Sequence, residues 1–357
     1  MTGPLPRVSS GHFRAMCDDT GIFQHAILDV PDRAHGYCID DNARALLASY
    51  AVAEDSAEPD VATLGTRFAS FIQHGWNKDV GRFRNFMGFD RRWLEPQGSE
   101  DSHGRTLWAL GICGRDDPSL ARREWALRLL KESTPAMSTF RSPRAWAFAI
   151  LGLAAALDAD PADSAAAKMC SRLAGQLADL LKREERTGWT WFEDVLAYDN
   201  ARLPQALLTA GRVRNRQDHV DAGLRTLNWL IDVQTGEHGL FRPVGSDSFG
   251  APHARPEPFD QQPLEVAATV AACRVAYEIT ADPHFLAESS RAYRWLLGDN
   301  DLGIPLLDPA TGRCLDGLHP DRANANCGGE SVVSALLAAA DMRAMQHTSR
   351  ISIAVSR

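Results

Sequence analysis

No stretch of this sequence approaches the roughly 20 uncharged apolar residues that a membrane-spanning helix needs, although 45% of its 357 residues are hydrophobic. Basic charge is short as well: 38 Lys and Arg against 46 Asp and Glu leave a formal net charge of −8. A phosphate-binding surface needs the opposite balance, so neither nucleic acid nor a membrane is an expected partner. The opening residues, MTGPLPRVSSGHF, lack a basic segment followed by an apolar one. No signal peptide is therefore expected, and a cytoplasmic location is. The seven cysteines are odd in number and scattered, which suits reduced, buried small hydrophobes better than a disulfide framework. Cys38, Cys327 and His35 show no CxxC or HxxxH spacing, so no metal is expected. GxGxxG, GxxxxGK[ST] and GxSxG strings are missing too. Their absence removes nucleotide cofactors and the serine-nucleophile elbow, and no cofactor of any kind is expected.

What the sequence does have is helix, in two alternating kinds. One kind is amphipathic: residues 61–76 carry Leu64, Phe68, Phe71, Ile72 and Trp76 on one face, and 118–132, 163–183, 217–233 and 283–297 behave alike. The other is apolar nearly all round, at 41–53, 102–113, 143–157, 200–212, 263–279 and 330–344. A helix without a polar face must be buried on every side. A short segment near 8–16 completes the first of six pairs. Helical hairpins repeated in this way suggest a repeat architecture, and a closed ring buries every inner helix where an open solenoid exposes its ends. The expected fold is all-α, an (α/α)6 toroid of six inner and six outer helices. It occupies residues 1–346 as a single domain, followed by a disordered tail at 347–357.

The connections are unequal. Turns leaving an inner helix are short, as at 114–118, 158–163 and 280–283, while those entering one are long: 17–40, 77–101, 184–199, 235–262 and 298–329. Long loops in a compact domain usually carry function, and here all fall on the face holding the inner-helix N-termini. Small hairpins are expected within 81–96 and 239–250.

That face gathers polar heads: Asp40-Asp41-Asn42, Glu100-Asp101-Ser102-His103, Ser142 with Arg144, Glu193-Asp194 with Tyr198-Asp199-Asn200, Asp260-Gln261-Gln262 with Glu265, and Asn324-Asn326 with Glu330. A carboxylate at a helix N-terminus is often only a cap. Capping accounts for one acid per helix, but less well for Glu100, Asp101 and His103 together. It also explains poorly why Glu193 and Asp194 stand several residues ahead of their helix. Acids, amides and loop aromatics such as Phe23, Tyr37, Phe86, Trp93, Trp189 and Trp191 in one pocket suit a carbohydrate. Glycosidic cleavage needs one protonated and one ionised carboxyl group, and crowded acids separate each other's pKa values. The tetrapeptide Asp-Asn-Ala-Arg occurs twice, at Asp41–Arg44 and Asp199–Arg202. In each copy the Arg follows its Asp by three residues and is expected to form a structural ion pair.

The string YCIDDNARALL (37–47) resembles the DDNAW-type helix start of bacterial endo-α-mannanases, with Arg44 where those have Trp. WFEDVLAYDNARLPQALL (191–208) resembles helix starts of unsaturated glucuronyl and rhamnogalacturonyl hydrolases. Over residues 12–345 the chain is similar to a toroid domain found alone or fused to glycosyltransferases in bacterial polysaccharide gene sets. The blocks CDDTGIFQHA, GYCIDDNARAL, YDNARLPQALL, FDQQPLE and GGES carry that resemblance. It implies a glycoside hydrolase acting on an oligosaccharide, with mannose-containing chains as one candidate substrate, and association with a glycosyltransferase. Asp41 and Glu193 are the principal acid/base candidates, supported by Asp40, Asp194 and Glu330. His25, Tyr37, Asn42, Glu100, Asp101, His103, Arg105, Arg144, Trp191, Tyr198, Asn200 and Gln262 are expected to line the pocket. Two rivals are a sugar 2-epimerase, using histidines among His25, His103 and His253, and a non-catalytic glycan-binding partner of a glycosyltransferase.

Overall fold

The computed structural model of the protein describes residues 7–53, 60–250 and 252–355, without the side chains of 53, 60–62 and 349–355. Among the described residues the inner helices are α2 (Ile39–Ala53), α4 (Glu100–Asp116), α6 (Pro143–Ala159), α8 (Arg202–Arg214), α10 (Pro263–Thr280) and α12 (Gly329–Val355). The outer ones are α1 (Gly11–Ala15), α3 (Asp60–Gly75), α5 (Leu120–Ser133), α7 (Ser164–Glu184), α9 (Gln217–Val233) and α11 (Pro283–Leu296). Each inner helix packs on the next, and α12 packs back on α2. That last contact turns a row of hairpins into a closed (α/α)6 ring.

The two kinds of helix bury themselves as their sequences dictate. On α6 every residue from Arg144 to Leu157 is buried. On α7 burial follows Ala166, Cys170, Leu173, Ala174, Leu177, Leu180 and Leu181, the single stripe of an amphipathic helix. The closest inner pair is α4 with α6, and glycine makes the approach possible. A Cβ at Gly111 would lie 2.0 Å from the Gly152 carbonyl oxygen, and one at Gly152 would lie 2.2 Å from that of Leu107.

Several boundaries differ from expectation. The first outer element shrinks to the five residues of α1. The last helix does not stop at 346 but continues to Val355, through most of the expected disordered tail; residues 356–357 lie outside the described residues. The long loops fold into two-residue ladders: β1 (Ala26–Ile27) with β2 (Val30–Pro31), and β3 (Tyr37–Cys38) with β6 (Phe86–Met87). The others are β4 (Trp76–Asn77) with β5 (Arg82–Phe83), β7 (Leu307–Asp308) with β8 (Arg313–Cys314), and β9 (Gly317–Leu318) with β10 (Ala323–Asn324). The segment 81–96 does form the expected small hairpin, in which Met87 bridges Trp93 and the Leu94 N–H donates to the Phe86 carbonyl at 2.9 Å, while β5 and β6 within it also pair with β4 and β3. Residues 239–250 form no hairpin: they hold 3-10 turns at Glu237–Gly239 and Ser246–Ser248, and a lone bridge joins Thr235 to Phe241.

Candidate functional site

The inner-helix heads meet in a buried network of alternating charge. Arg44, one turn into α2, reaches Asp40 at 3.0 Å and Asp41 at 3.4 Å, and it also pairs with Glu330 at the head of α12. Arg105 of α4 bridges Asp40 at 2.7 Å to Asp199 at 2.9 Å. Arg202 of α8 then holds Asp199 at 3.1 Å and donates to Gln205 at 2.8 Å. The order Glu330, Arg44, Asp40, Arg105, Asp199, Arg202 therefore ties four inner helices together. Arg105 and Arg202 also lie over the Phe148 and Trp108 rings, at 4.0 and 4.7 Å.

The two Asp-Asn-Ala-Arg copies differ in this setting. Asp41 lies inside the first turn of α2. Asp199 precedes α8 in a left-handed turn, with φ 52, and the helix begins only at Arg202 after a residue with no side-chain cap. Aspartate tolerates that region because its short side chain can hydrogen-bond locally. Its copy is a turn, so the helix expected from residue 200 starts later. The side-chain caps of α4 and α6 are Ser99 and Ser142.

Three guanidinium groups face three carboxylates already paired to them, Asp40, Asp199 and Glu330. Burial would raise the Asp199 carboxyl, but Arg202, Arg105 and Arg44 outweigh it and hold it below the ordinary value. Two further acids share the network without a full partner. Burial pushes Asp41 up to about 7 against the pull of Arg44, with Glu330 and Asp40 adding to the rise. Burial, with the Asp199 charge behind it, likewise carries Glu265 to about 7, despite hydrogen bonds from the Asp199 and Asn200 backbones. The ionised form of each is desolvated with no free cation beside it. Both therefore titrate near neutral pH, well above the ordinary carboxyl range.

Asp41, Asp40 and Glu330 each place one oxygen within 4.8 Å of the others. A metal ion could be held by such a group, but the terminal nitrogens of Arg44 already contact all three carboxylates. The Cys38 thiol donates to Asp41 Oδ2 at 3.1 Å. Exposure rises outward: the side chain of Asp41 is 10% exposed, that of Asp40 21% and that of Glu330 40%.

Glu193 stands in another sector. Its carboxylate is held by Arg144 at 2.7 Å, and Arg144 also donates to the Tyr198 carbonyl at 2.5 Å and the Asn200 amide oxygen at 3.4 Å. Asp101 accepts from the hydroxyls of Tyr198 and Ser142. Glu100 accepts from the backbone N–H groups of Arg141 and Ser142, both at 2.7 Å. Asp194 is exposed, away from these acids' partners, and its carbonyl accepts from the His253 N–H at 2.6 Å. Gln262, half-buried at the head of α10, has no side-chain partner among the described residues.

Other expected lining residues face inward. His103 is fully buried, with one ring nitrogen 3.1 Å from the Ser133 carbonyl and the other accepting from the Phe83 N–H at 3.4 Å. Burial and Arg82 push its pKa down to about 3, so it stays neutral in the core. Tyr37 is buried against Phe23 and donates to Asp18 at 2.5 Å. Asn42 joins the Ile22 N–H to the Cys38 carbonyl, and Asn200 ties Ala197 to Glu265. Trp191 is wholly buried beside Trp229. These side chains belong to the core behind the charged network. His25 is exposed on the rim, in edge contact with His35.

Two further acids belong to the face: Asp260, which the sequence reading placed among the polar heads but not among the site residues, and Asp316, which it did not name. Asp260 lies 3.4 Å from His319 Nδ1, and its carboxyl is raised chiefly by burial. Asp316 accepts from the Gly328 N–H at 2.7 Å and is raised chiefly by burial, with Glu330 adding to the effect. The position of Asp260 beside Gln261 and Gln262 was the available signal; nothing local marked His319 as its neighbour.

No protein-family model matches the chain, and no curated protein matches it in sequence. Solved structures do. A D-mannose isomerase superposes with a TM-score of 0.72 at 11% identity, covering 94% of each chain. The cellobiose 2-epimerase of Bacillus thermoamylovorans gives 0.71 at 10% identity over 96% of each. An inactive variant of an α-1,6-mannanase of Salegentibacter, in complex with α-1,6-mannotetrose, gives 0.65 at 11% identity over 94% of this chain and 96% of the other. The fold is the (α/α)6 toroid. The likeness spans nearly the whole chain.

Proposed function

We propose that the protein is a glycoside hydrolase acting on an oligosaccharide, with Asp41 as the general acid and Glu330 as the second carboxylate. The observation carrying this reading is the Asp41, Asp40 and Glu330 group: a buried carboxyl pushed up to about 7 lies within 4.8 Å, oxygen to oxygen, of a half-buried carboxylate paired with Arg44. Division of labour between two acids requires such a contrast of environments. Asp41 gives its proton to the glycosidic oxygen as the bond to the anomeric carbon breaks. Glu330 attacks that carbon and forms a glycosyl ester. A water molecule then yields its proton to the Asp41 carboxylate and displaces Glu330, which restores both groups. Carboxyl groups about 5 Å apart suit this double displacement, while direct attack by water needs a gap of roughly 6.5–9.5 Å. Glu193, fixed by Arg144, serves here as a binding carboxylate together with Asp101 and Gln262. Support from the fold is of the general kind: solved toroids of this shape include a mannanase bound to a mannose oligosaccharide. Mannose-containing chains are therefore the first substrates to test, and cytoplasmic location and a glycosyltransferase partner remain part of the proposal.

The test is incubation with neutral manno-oligosaccharides, following product size by chromatography and anomeric configuration by proton NMR. Shorter products with retained configuration, lost in Asp41→Asn and Glu330→Gln, are expected. Inverted product would remove Glu330 from its role. A second reading, sugar 2-epimerase, is favoured by the His319–Asp260 pair on the same face and by epimerases among the toroids of this shape. His103, buried with both ring nitrogens engaged, supplies no base for it. An epimerase would convert a reducing disaccharide with no change in size.

A further inference from the structure

The strand β6 is docked directly on the head of α2. Asn85, just before it, accepts from the Ile39 N–H through its carbonyl at 2.8 Å and from the Asp40 N–H through its side chain at 3.3 Å. In the β3–β6 ladder Tyr37 opposes Met87 and Cys38 opposes Phe86. Directly opposed residues stand on the same face of a ladder, with Cβ atoms about 5 Å apart. Tyr37 and Met87 are both buried and make the core side. The other side carries Cys38, whose thiol donates to Asp41 at 3.1 Å, and Phe86. Phe86 is nevertheless 42% exposed, and its ring has no aromatic or cationic neighbour among the described residues. Phe89, three residues on, contrasts with it: it packs on Phe23, with Arg33 over its ring.

An exposed phenyl ring costs free energy unless something covers it, and this one is clamped beside the acid pair by the Asn85 hydrogen bonds. From this juxtaposition we propose that Phe86 is a stacking platform for an uncharged pyranose ring of the oligosaccharide, adjoining the Asp41 subsite. The C–H face of a pyranose matches the negative face of a phenyl ring. Charge around the platform sets the class of sugar. The Glu95 carboxylate accepts from the Phe86 and Asn85 N–H groups, at 3.1 and 3.0 Å. Asp40 and Glu330 lie at the neighbouring heads, and their guanidinium partners Arg44 and Arg105 sit beneath them, 4% and 2% exposed. Arg84 is turned over the Trp93 ring at 6.0 Å. A uronate ring on Phe86 would set its carboxylate beside Asp40, Glu330 and Glu95, whose like charges oppose it.

The proposal rests on the glycosidase reading for the identity of the ligand, and the experiment separates the two. Calorimetric titrations with neutral manno- and gluco-oligosaccharides of two to six units would use the Asp41→Asn protein, in which turnover is silenced. The same titrations follow with Phe86→Ala and Phe86→Trp in that background. Alanine is expected to weaken binding about 2- to 12-fold, and tryptophan to restore it. The loss should appear only with ligands long enough to reach the second subsite. Equal affinity of the alanine protein, or no binding by any neutral oligosaccharide, would overturn the platform. Equal binding of a uronate oligosaccharide would overturn its preference for uncharged rings. A Phe86-dependent affinity in a wild-type protein that cleaves nothing would leave the subsite standing and remove hydrolysis.

Discussion

Replacing Asp41 by asparagine tests the buried acid through stability and turnover together. Burial raises the folded carboxyl from its ordinary value of 3.8 to about 7. A raised acid contributes stability that is fully present below the unfolded pKa and is lost as pH rises through the folded one. Each unit of pH in that window therefore costs the wild type about 1.4 kcal/mol from this group, and the whole span of about 3 units costs roughly 4 kcal/mol at most. Asparagine carries no such proton. Urea unfolding of both proteins between pH 4 and 8 should give a difference curve that rises in favour of the variant up to about pH 7 and then levels, since groups common to both cancel. The intercept includes the weaker grip of Arg44, which keeps Asp40 and Glu330. Turnover by the variant should fall by about 10²–10⁴, the usual worth of a general acid, and wild-type activity should decline above pH 7 as the proton is lost. A flat difference curve, or a variant with wild-type activity, would refute both the burial argument and the assignment of Asp41.

The same network yields further expectations. Arg105→Met removes one of the two guanidinium partners of Asp40 and of the fully buried Asp199, and should destabilise the protein in denaturant unfolding by up to about 3–5 kcal/mol, the typical cost of breaking a buried pair. Glu265→Gln keeps an acceptor for the Asp199 and Asn200 N–H groups but removes a carboxyl raised to about 7; by the same sign argument it should gain on the wild type as pH rises from about 4 to 7, read from melting temperatures across that range. Gly152→Ala puts a methyl 2.2 Å from the Leu107 carbonyl oxygen, so separation of α4 from α6 should cost about 1–3 kcal/mol or more, and an unchanged melting temperature would contradict the close packing of these helices.

Local pattern was enough to reveal the helices and their alternation. A stripe like that of α7 and an all-round apolar run like α6 differ in period and polarity, and each dictates its own burial wherever the helix sits. The (α/α)6 ring followed from the same logic, because an all-round apolar helix must be enclosed. The outer-to-inner loops were likewise recognisable by length, and so were most acids of the mouth, because they head the inner helices. Boundaries failed where tertiary hydrogen bonds outweighed local signals. At Asp199 the left-handed turn is held by Glu265 from another helix, which delayed the start of α8.

Tertiary structure alone decided which polar residues face the pocket and which face the core. His103 and Asp101 are two residues apart, yet one ring is sealed under Ser133 and Phe83 while the other residue's carboxylate receives two hydroxyls. Arg44 looked from its spacing like a helix-surface partner of Asp41; closure of α12 on α2 brings Glu330 to it as well. The division of protons follows from the same closure. A carboxyl's pKa depends on what surrounds it at a few ångströms, and for Asp41 that is burial together with Arg44, Asp40 and Glu330, of which Glu330 arrives only when the ring closes. Sequence by itself determined a ring with acids at its mouth; folding decided that Asp41 is buried there and raised to about 7 while Glu330 is the more exposed of the two.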